Sequence, residues 1–213
     1  MMIEWRASMR SARAALVIGG LAVCFTTDAS AQSPTCPKSA ETGKSIALTG
    51  LDGRRSEISW LADDRVRIAE QNPAARTFPR ETIAVRGLVG VEMTRPSGKV
   101  SLQFAQPPDS LFPLTVGKQT EIAYVVQTEG QPPIKARMTV AAVEALQHAI
   151  GACTYDALLV GSITEFEGGK QTPVRYDVYV PALQAVVKST TFDAAANTIL
   201  EAESFEFDAI AAR

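Results

Sequence analysis

Histidine is almost absent from this chain, and aromatic residues are sparse. The 213 residues include one histidine, His148, and only 7% are aromatic. A single imidazole excludes a histidine-rich metal centre and leaves one histidine as a candidate general base. Residues 168–170 lack the frame of a phosphate-binding loop, and Gly161-Ser162 lacks the second glycine of a nucleophile elbow. We therefore predict no catalytic residue, no metal site and no cofactor.

Long apolar runs are missing beyond the first 31 residues. Within those 31, arginines at positions 6, 10 and 13 precede an apolar stretch at 14–25 and the small-residue sequence Ala29-Ser30-Ala31. This order is typical of a cleaved secretory signal peptide, and the stretch is shorter than the roughly 20 residues of a membrane span. We predict cleavage after Ala31 and a periplasmic protein without a membrane span. A lipoprotein acylated at Cys24 and a retained anchor are the alternatives.

Cysteine is rare as well, with three residues in the whole chain. Removal of the leader leaves two of them, Cys36 and Cys153. In an oxidising compartment an even pair is most simply one disulfide, so we predict a Cys36–Cys153 bridge. The alternative is a reactive or metal-binding thiol pair.

No charge of one sign dominates. The chain has 21 basic and 23 acidic residues, and its arginines are spread among acids instead of forming a block. This distribution argues against a nucleic-acid partner. About 180 residues remain after the leader, which suits one domain and is short for two. We predict a single β-rich domain over residues 32–213.

Apolar and polar residues alternate along most of this domain, as in half-buried β-strands. The alternating apolar sets are Val66 and Ile68; Ile83 and Val85; Val100, Leu102 and Phe104; Ile122, Tyr124 and Val126; Val174, Tyr176, Val178 and Val180; and Phe205 and Phe207. Turn-forming clusters occur at 51–53, 95–99, 129–133 and 167–170. The pattern predicts an all-β or nearly all-β fold: an antiparallel meander forming one strongly curved sheet or half-barrel.

Two segments fit this pattern less directly. Residues 138–150 are alanine-rich with apolar residues at helical spacing, but Ala136, Met138, Val140 and Ala142 also alternate, so strand and helix both stay open. Residues 106–110 contain Pro107-Pro108 and predict a crossover between two sections of the sheet.

Several short motifs resemble those of a known group of proteins. Residues 111–118 read L-F-P-L-T-V-G-K, and residues 150–157 and 174–188 follow as a turn-and-strand and a closing hairpin. Together they resemble uncharacterised proteobacterial envelope β-proteins that carry a domain of unknown function and an F-P-L-x-V-G-K motif. The strand pattern is also similar to that of half-barrel lipoprotein carriers of the periplasm. The resemblance implies an envelope location and assigns no reaction, so no catalytic residue follows from it.

These observations favour a non-enzymatic binding or interaction protein of the cell envelope, with a protein, lipid or glycan as partner. A carrier or chaperone for a lipidated or amphiphilic ligand is the sharper alternative, and it requires an open apolar cavity of at least about 300 Å³. An envelope hydrolase is the second alternative. It would need His148 or a pair of carboxylates in a cleft, and a set of Ser162, His148 and Asp156 can be imagined from composition.

Overall fold

Alternation with period two produces strands throughout the molecule. The computed structural model describes residues 36–73 and 79–213. The strands are β1 (Ser45–Thr49), β2 (Arg55–Trp60), β3 (Arg65–Gln71), β4 (Arg80–Val85), β5 (Val89–Arg95), β6 (Gly98–Phe104), β7 (Gln119–Thr128), β8 (Ile134–Ile150), β9 (Cys153–Phe166), β10 (Val174–Val180), β11 (Ala185–Asp193), β12 (Thr198–Ile199), β13 (Phe205–Glu206) and β14 (Ala209–Ala212). Helical structure in these ranges is confined to three short 3-10 turns, at Pro108–Leu111, Pro181–Leu183 and Glu201–Glu203. The all-β prediction is confirmed.

All 14 strands belong to one antiparallel sheet. Strands β1 to β11 follow one another as a meander, and each pairs with its neighbour in sequence. The path is open and ends at β12 on one side and at β14 on the other. The C-terminal segment contacts both ends of the meander, because β13 pairs with β11 while β14 pairs with β1. The predicted turns at 51–53, 95–99, 129–133 and 167–170 all lie at connections between consecutive strands.

The region that sequence left open as strand or helix is a strand. Residues 138–150 lie in β8, the 17-residue strand that pairs with β7 on one side and β9 on the other. A bulge between Ala142 and Glu144 leaves Val143 half exposed while Val140 and Ala142 stay buried. Pairing on both sides outweighs the helix propensity of the alanines, which is a small effect per residue.

The sheet is strongly curved, so that its first strands pack against its last ones. The largest buried cluster takes its side chains from both regions: Ile46, Leu48, Ile58, Trp60, Val66, Ile150, Cys153, Tyr155, Ala157, Val178, Val180, Leu183, Ala185, Val187 and Phe207. The indole Nε1 of Trp60 in β2 donates a hydrogen bond to the carbonyl of Leu183, 2.9 Å away, in the β10–β11 turn. Burial of this apolar surface stabilises the curl at roughly 25 cal/mol per Å².

The predicted disulfide is present. Cys36 and Cys153 are bonded across 117 residues of sequence, with their Cα atoms 5.6 Å apart. Cys153 and Tyr155 both belong to the large buried cluster, as the alternation of β9 requires. The bridge therefore ties the segment before β1 to the first residue of β9. The predicted signal peptide lies outside the described residues.

The expected crossover at residues 106–110 is wrong. Strands β6 and β7 are adjacent, and Phe104 pairs with Tyr124 across them. Residues 105–118 are therefore a long connection between neighbouring strands, which folds back over the sheet. The error has a physical cause: a Pro-Pro pair ends a strand in the same way whether the chain next returns beside it or crosses away.

Candidate functional site

A pocket opens beside the connection between β6 and β7, with a volume of about 350 Å³. We call it the Arg65 pocket. Its lining residues come from three strands and the connection itself: Arg65, Val91, Leu102, Phe104, Ala105, Gln106, Pro107 and Pro108. It is open to solvent on one side, and its volume lies near the lower end of the usual range for ligand pockets. A second concavity, of about 570 Å³, is lined by Gly53, Arg55, Gln71, Asn72, Pro73 and Pro79, and we assign it no role.

The apolar wall of the pocket is formed by two side chains of β6, which are supported by residues of neighbouring strands. Leu102 and Phe104 are two residues apart on β6 and share one face of the sheet. The Phe104 ring packs on Tyr124 of β7, with 5.3 Å between ring centroids. The Tyr124 hydroxyl is 3.1 Å from Oγ1 of Thr164 in β9, and burial raises the pKa of Tyr124. The Phe104 ring therefore rests on Tyr124, which is itself close to Thr164, and this packing gives the pocket a preformed wall.

The lip of the pocket is built from a rigid turn. Pro107 and Pro108 have restricted φ angles and supply no backbone donor. The 3-10 turn that begins at Pro108 is closed by two backbone hydrogen bonds, from Ser110 to Pro107 and from Phe112 to Asp109. The connection therefore presents proline ring atoms to the pocket on a turn that is closed by its own backbone hydrogen bonds.

Arg65 supplies the one charged group in the lining. Its Nη1 atom is buried and has no hydrogen-bond partner, and the side chain forms no ion pair with any described residue. The backbone at this position is held in place, because its carbonyl accepts from Leu61 at 2.8 Å and its N–H donates to Ala62 at 3.2 Å. A buried donor without a partner is unfavourable, so the Arg65 guanidinium is incompletely bonded at the edge of the pocket that it lines.

Other arginines in this region have carboxylate partners. Arg67, two residues further along β3, contacts Glu81 at 2.6 Å, and Arg86 contacts Asp64 at 2.7 Å. Arg65 differs from Arg67 because it lies at the first position of β3 and lines the pocket. Arg67 and Glu81 are both substantially exposed on the sheet surface.

The three residues of the imagined catalytic set do not come together. His148 lies on β8 opposite Tyr155, whereas Asp156 and Ser162 both lie on β9, six positions apart. Six residues of extended strand span about 20 Å. Burial lowers the pKa of His148, with Glu206 raising it and Lys188 lowering it to smaller extents. Within the described residues the imidazole has no carboxylate or hydroxyl partner.

The segment carrying the F-P-L-x-V-G-K motif is a packing element. Leu111 is buried, and the ring of Phe112 lies 6.5 Å from Tyr179 and 5.2 Å from the guanidinium carbon of Arg86. Gly117, with φ of +81°, donates its N–H to the carbonyl of Ala142 at 2.9 Å. The motif thus attaches the β6–β7 connection to the sheet.

Three turns meet at one point, next to this segment. Asp64, Arg86 and Gln184 all have left-handed backbone conformations, and the carboxylate of Asp64 contacts the side chains of the other two. Burial raises the pKa of Tyr179, whose hydroxyl donates to the carbonyl of Arg86 at 2.8 Å. Backbone strain of this kind persists only where the surroundings over-determine it. The polar groups of this cluster satisfy one another, so we interpret it as a structural junction and not as an open site.

Together the fold and the pocket define a class: a single-sheet β-protein with a preformed pocket of ligand size beside the β6–β7 connection. No family model matches the chain, and no curated protein matches it. Among solved structures, the hypothetical lipoprotein YmcC from Escherichia coli K12 is similar at 9% identity, with a TM-score of 0.45 over 70% of this chain and 76% of that one. Among the helices in the described ranges, none has the length and hydropathy needed to cross a bilayer.

Proposed function

We propose that this chain is an exported, non-enzymatic binding protein whose Arg65 pocket holds the apolar part of a small ligand. The observation that carries the proposal is the preformed wall of Leu102 and Phe104 under a proline lip, open on one side. Its volume of about 350 Å³ exceeds the lower bound that a carrier of an amphiphilic ligand requires.

Export is supported by two independent features. The first 31 residues have the pattern of a secretory leader, and Cys36 and Cys153 form a disulfide. Disulfides persist in oxidising compartments such as the bacterial periplasm. Of the envelope partners considered, which are protein, lipid and glycan, a lipid-like molecule suits the pocket best, because six of its eight lining residues are apolar.

Binding without conversion is supported by the composition of the lining. Arg65 and Gln106 are the polar residues of the pocket, and neither is a nucleophile or a general base at neutral pH. His148 lies on β8, away from the lining. These features favour a binding protein over the envelope hydrolase.

A neutral fluorescent probe, N-phenyl-1-naphthylamine, tests the proposal on the purified exported protein. We expect saturable binding that Ala105→Trp abolishes, because an indole at this lining position fills the pocket. Ala149→Trp is the matched control: Ala149 is also exposed, but it lies on β8 opposite Thr154 and outside the pocket lining. Absence of saturable binding, or equal loss in both variants, would refute this site.

A further inference from the structure

We infer that the ligand of the Arg65 pocket carries an anionic head group, and that the guanidinium of Arg65 binds this group while the chain lies against Phe104. This inference rests on the proposed function and specifies its ligand class: a single-chain amphiphile that ends in a carboxylate or a phosphate monoester.

The first step is the chemistry of Arg65. Its guanidinium offers five N–H donors in a planar fork. The side chain lines the pocket and forms no ion pair with a described residue, and its buried Nη1 has no acceptor among them. A carboxylate or phosphate fits such a fork with two parallel hydrogen bonds, which are stronger than bonds between neutral groups.

The second step is the charge balance around the pocket. No acidic side chain belongs to the lining. Asp64, the carboxylate that precedes Arg65 in the chain, bonds to Arg86, and Asp63 is exposed at the tip of the turn. Glu81 on the neighbouring strand bonds to Arg67, Glu92 beside Val91 bonds to Lys99, and Asp109 beside Pro108 is exposed. The positive charge of Arg65 is therefore not neutralised by a direct contact, and it attracts anions while opposing cations.

The third step is size. At about 30 Å³ for a group the size of a water molecule, a volume of 350 Å³ holds roughly a dozen such groups. A ten-carbon chain with one head group fits this space, whereas a diacyl lipid does not. Gln106 at the rim provides an amide that can donate a second hydrogen bond to the head group.

The test compares four amphiphiles with the same ten-carbon chain: decanoate, decyl phosphate, decanol and decyltrimethylammonium, each below its aggregation concentration. Affinities are measured by calorimetry on the full exported protein, and by displacement of N-phenyl-1-naphthylamine. We expect both anions to bind at least about tenfold more tightly than decanol and the cation, since a charge-assisted bond is worth at least that factor. Preference for one anion over the other identifies the head group.

Two variants assign the preference to one residue. Arg65→Gln should reduce the anion preference to less than about threefold while the neutral probe still binds, because Gln keeps much of the side-chain volume. Arg67→Gln, on the same strand but paired with Glu81, should keep the full preference. Circular dichroism and thermal melting establish that both variants fold.

The outcomes separate the two proposals. If the neutral probe shows no saturable binding, the proposed function is wrong. If the neutral probe binds but all four amphiphiles bind equally, or if Arg65→Gln keeps the preference, the binding function stands and the assignment of an anionic ligand to Arg65 is overturned.

Discussion

At the scale of single residues, His148 illustrates what burial does to a titratable group. The residue is half-buried on β8, and its Nε2 has no partner within the described structure. Removal from water disfavours the imidazolium form and lowers the pKa below the ordinary value of 6.5. Glu206 acts in the opposite direction, but its effect is smaller than that of burial. In the unfolded chain the imidazole is hydrated and recovers its ordinary pKa.

This difference predicts a pH dependence of stability. Between the lowered folded pKa and 6.5 the unfolded state binds more protons, so the free energy of unfolding should rise with pH in that window. His148→Gln should remove this part of the slope, and any ligand binding should be unchanged. Urea denaturation at several pH values from about 5 to 7.5 measures it. A slope that is identical in wild type and variant would contradict the prediction.

Arg65 and Arg67 show where prediction from sequence stops at this scale. Both alternate with apolar residues on β3, and the alternation predicts two surface arginines. Arg67 matches that prediction, since it is exposed and paired with Glu81. Arg65 instead pairs across the sheet with the buried Val85 and lines a pocket. The alternation of apolar and polar residues predicts which face of a strand a side chain lies on. Its neighbours on the adjacent strands depend on the pairing register, which cannot be read from a single sequence.

At the scale of elements, the connection between β6 and β7 combines two tasks. Its first part forms the lip of the Arg65 pocket, and its second part packs Phe112 and Leu114 against the sheet. Phe112 contacts two of the smaller buried clusters, one around Ile122 and one around Val140. Because Phe112 is the residue of this connection that packs against both clusters, the connection should lose its position if that ring is removed.

Phe112→Ala therefore should lower the free energy of unfolding by about 3 kcal/mol, near the lower end for phenylalanine because the ring is only half-buried. Val116→Ala is the matched control in the same segment: Val116 is 47% exposed, and its truncation should cost less than about 0.5 kcal/mol. Denaturant titrations of both variants measure the difference. Equal effects would show that the motif does not anchor the connection.

Strands with a strong alternation of apolar and polar residues could be predicted from sequence. Segments whose conformation depends on contacts with distant parts of the chain could not. β3, β6, β7 and β10 follow directly from residues such as Leu102, Phe104 and Val178. The secondary structure of β8 was ambiguous from sequence, because its alanines fit both the helical and the strand periodicity. Its pairing with β7 and β9 makes it a strand. The crossover prediction failed because the return of residues 105–118 over the sheet depends on Phe112 packing on Tyr179, a contact between distant parts of the chain.

At the scale of the whole molecule, the curl of the sheet is held where turns from distant strands meet. The β4–β5 turn touches the β10–β11 turn so closely that a Cβ added to Gly87 would lie 1.7 Å from the carbonyl oxygen of Gln184. Gly87 also has a φ of +68°. Glycine is therefore required at this position for two separate reasons.

A comparison of two glycines tests this closure. Gly117 has a similar φ, +81°, but open space around the place of a Cβ. Gly117→Ala should cost only the backbone strain, about 1 to 2 kcal/mol. Gly87→Ala should cost more than about 4 kcal/mol or prevent folding, because the carbonyl of Gln184 belongs to backbone that cannot rotate away. Thermal melting of both proteins decides the point, and similar melting temperatures would contradict the close approach of the two turns.

The disulfide also holds the first strands of the curled sheet against the last ones. Cys153 lies in the cluster that joins the first and last strands, and Cys36 lies on the segment whose Ala40 donates its N–H to the carbonyl of Ala182 at 2.7 Å. The bridge thus fixes the chain before β1 against the far end of the meander. Closing a loop of 117 residues restricts the unfolded ensemble strongly.

Replacing both cysteines, as Cys36→Ala with Cys153→Ala, should lower the free energy of unfolding by up to about 4 to 5 kcal/mol, the value that loop entropy gives for this length. Alanine is preferred to serine because the site of Cys153 is buried and would leave a hydroxyl unpaired. Reductant should destabilise the wild type by a similar amount and leave the double variant unchanged. Peptide mapping without reductant should recover one Cys36–Cys153 cross-linked peptide. If both thiols alkylate freely in the native, unreduced protein, the bridge is absent, and neither the closure at Cys153 nor its support for export holds.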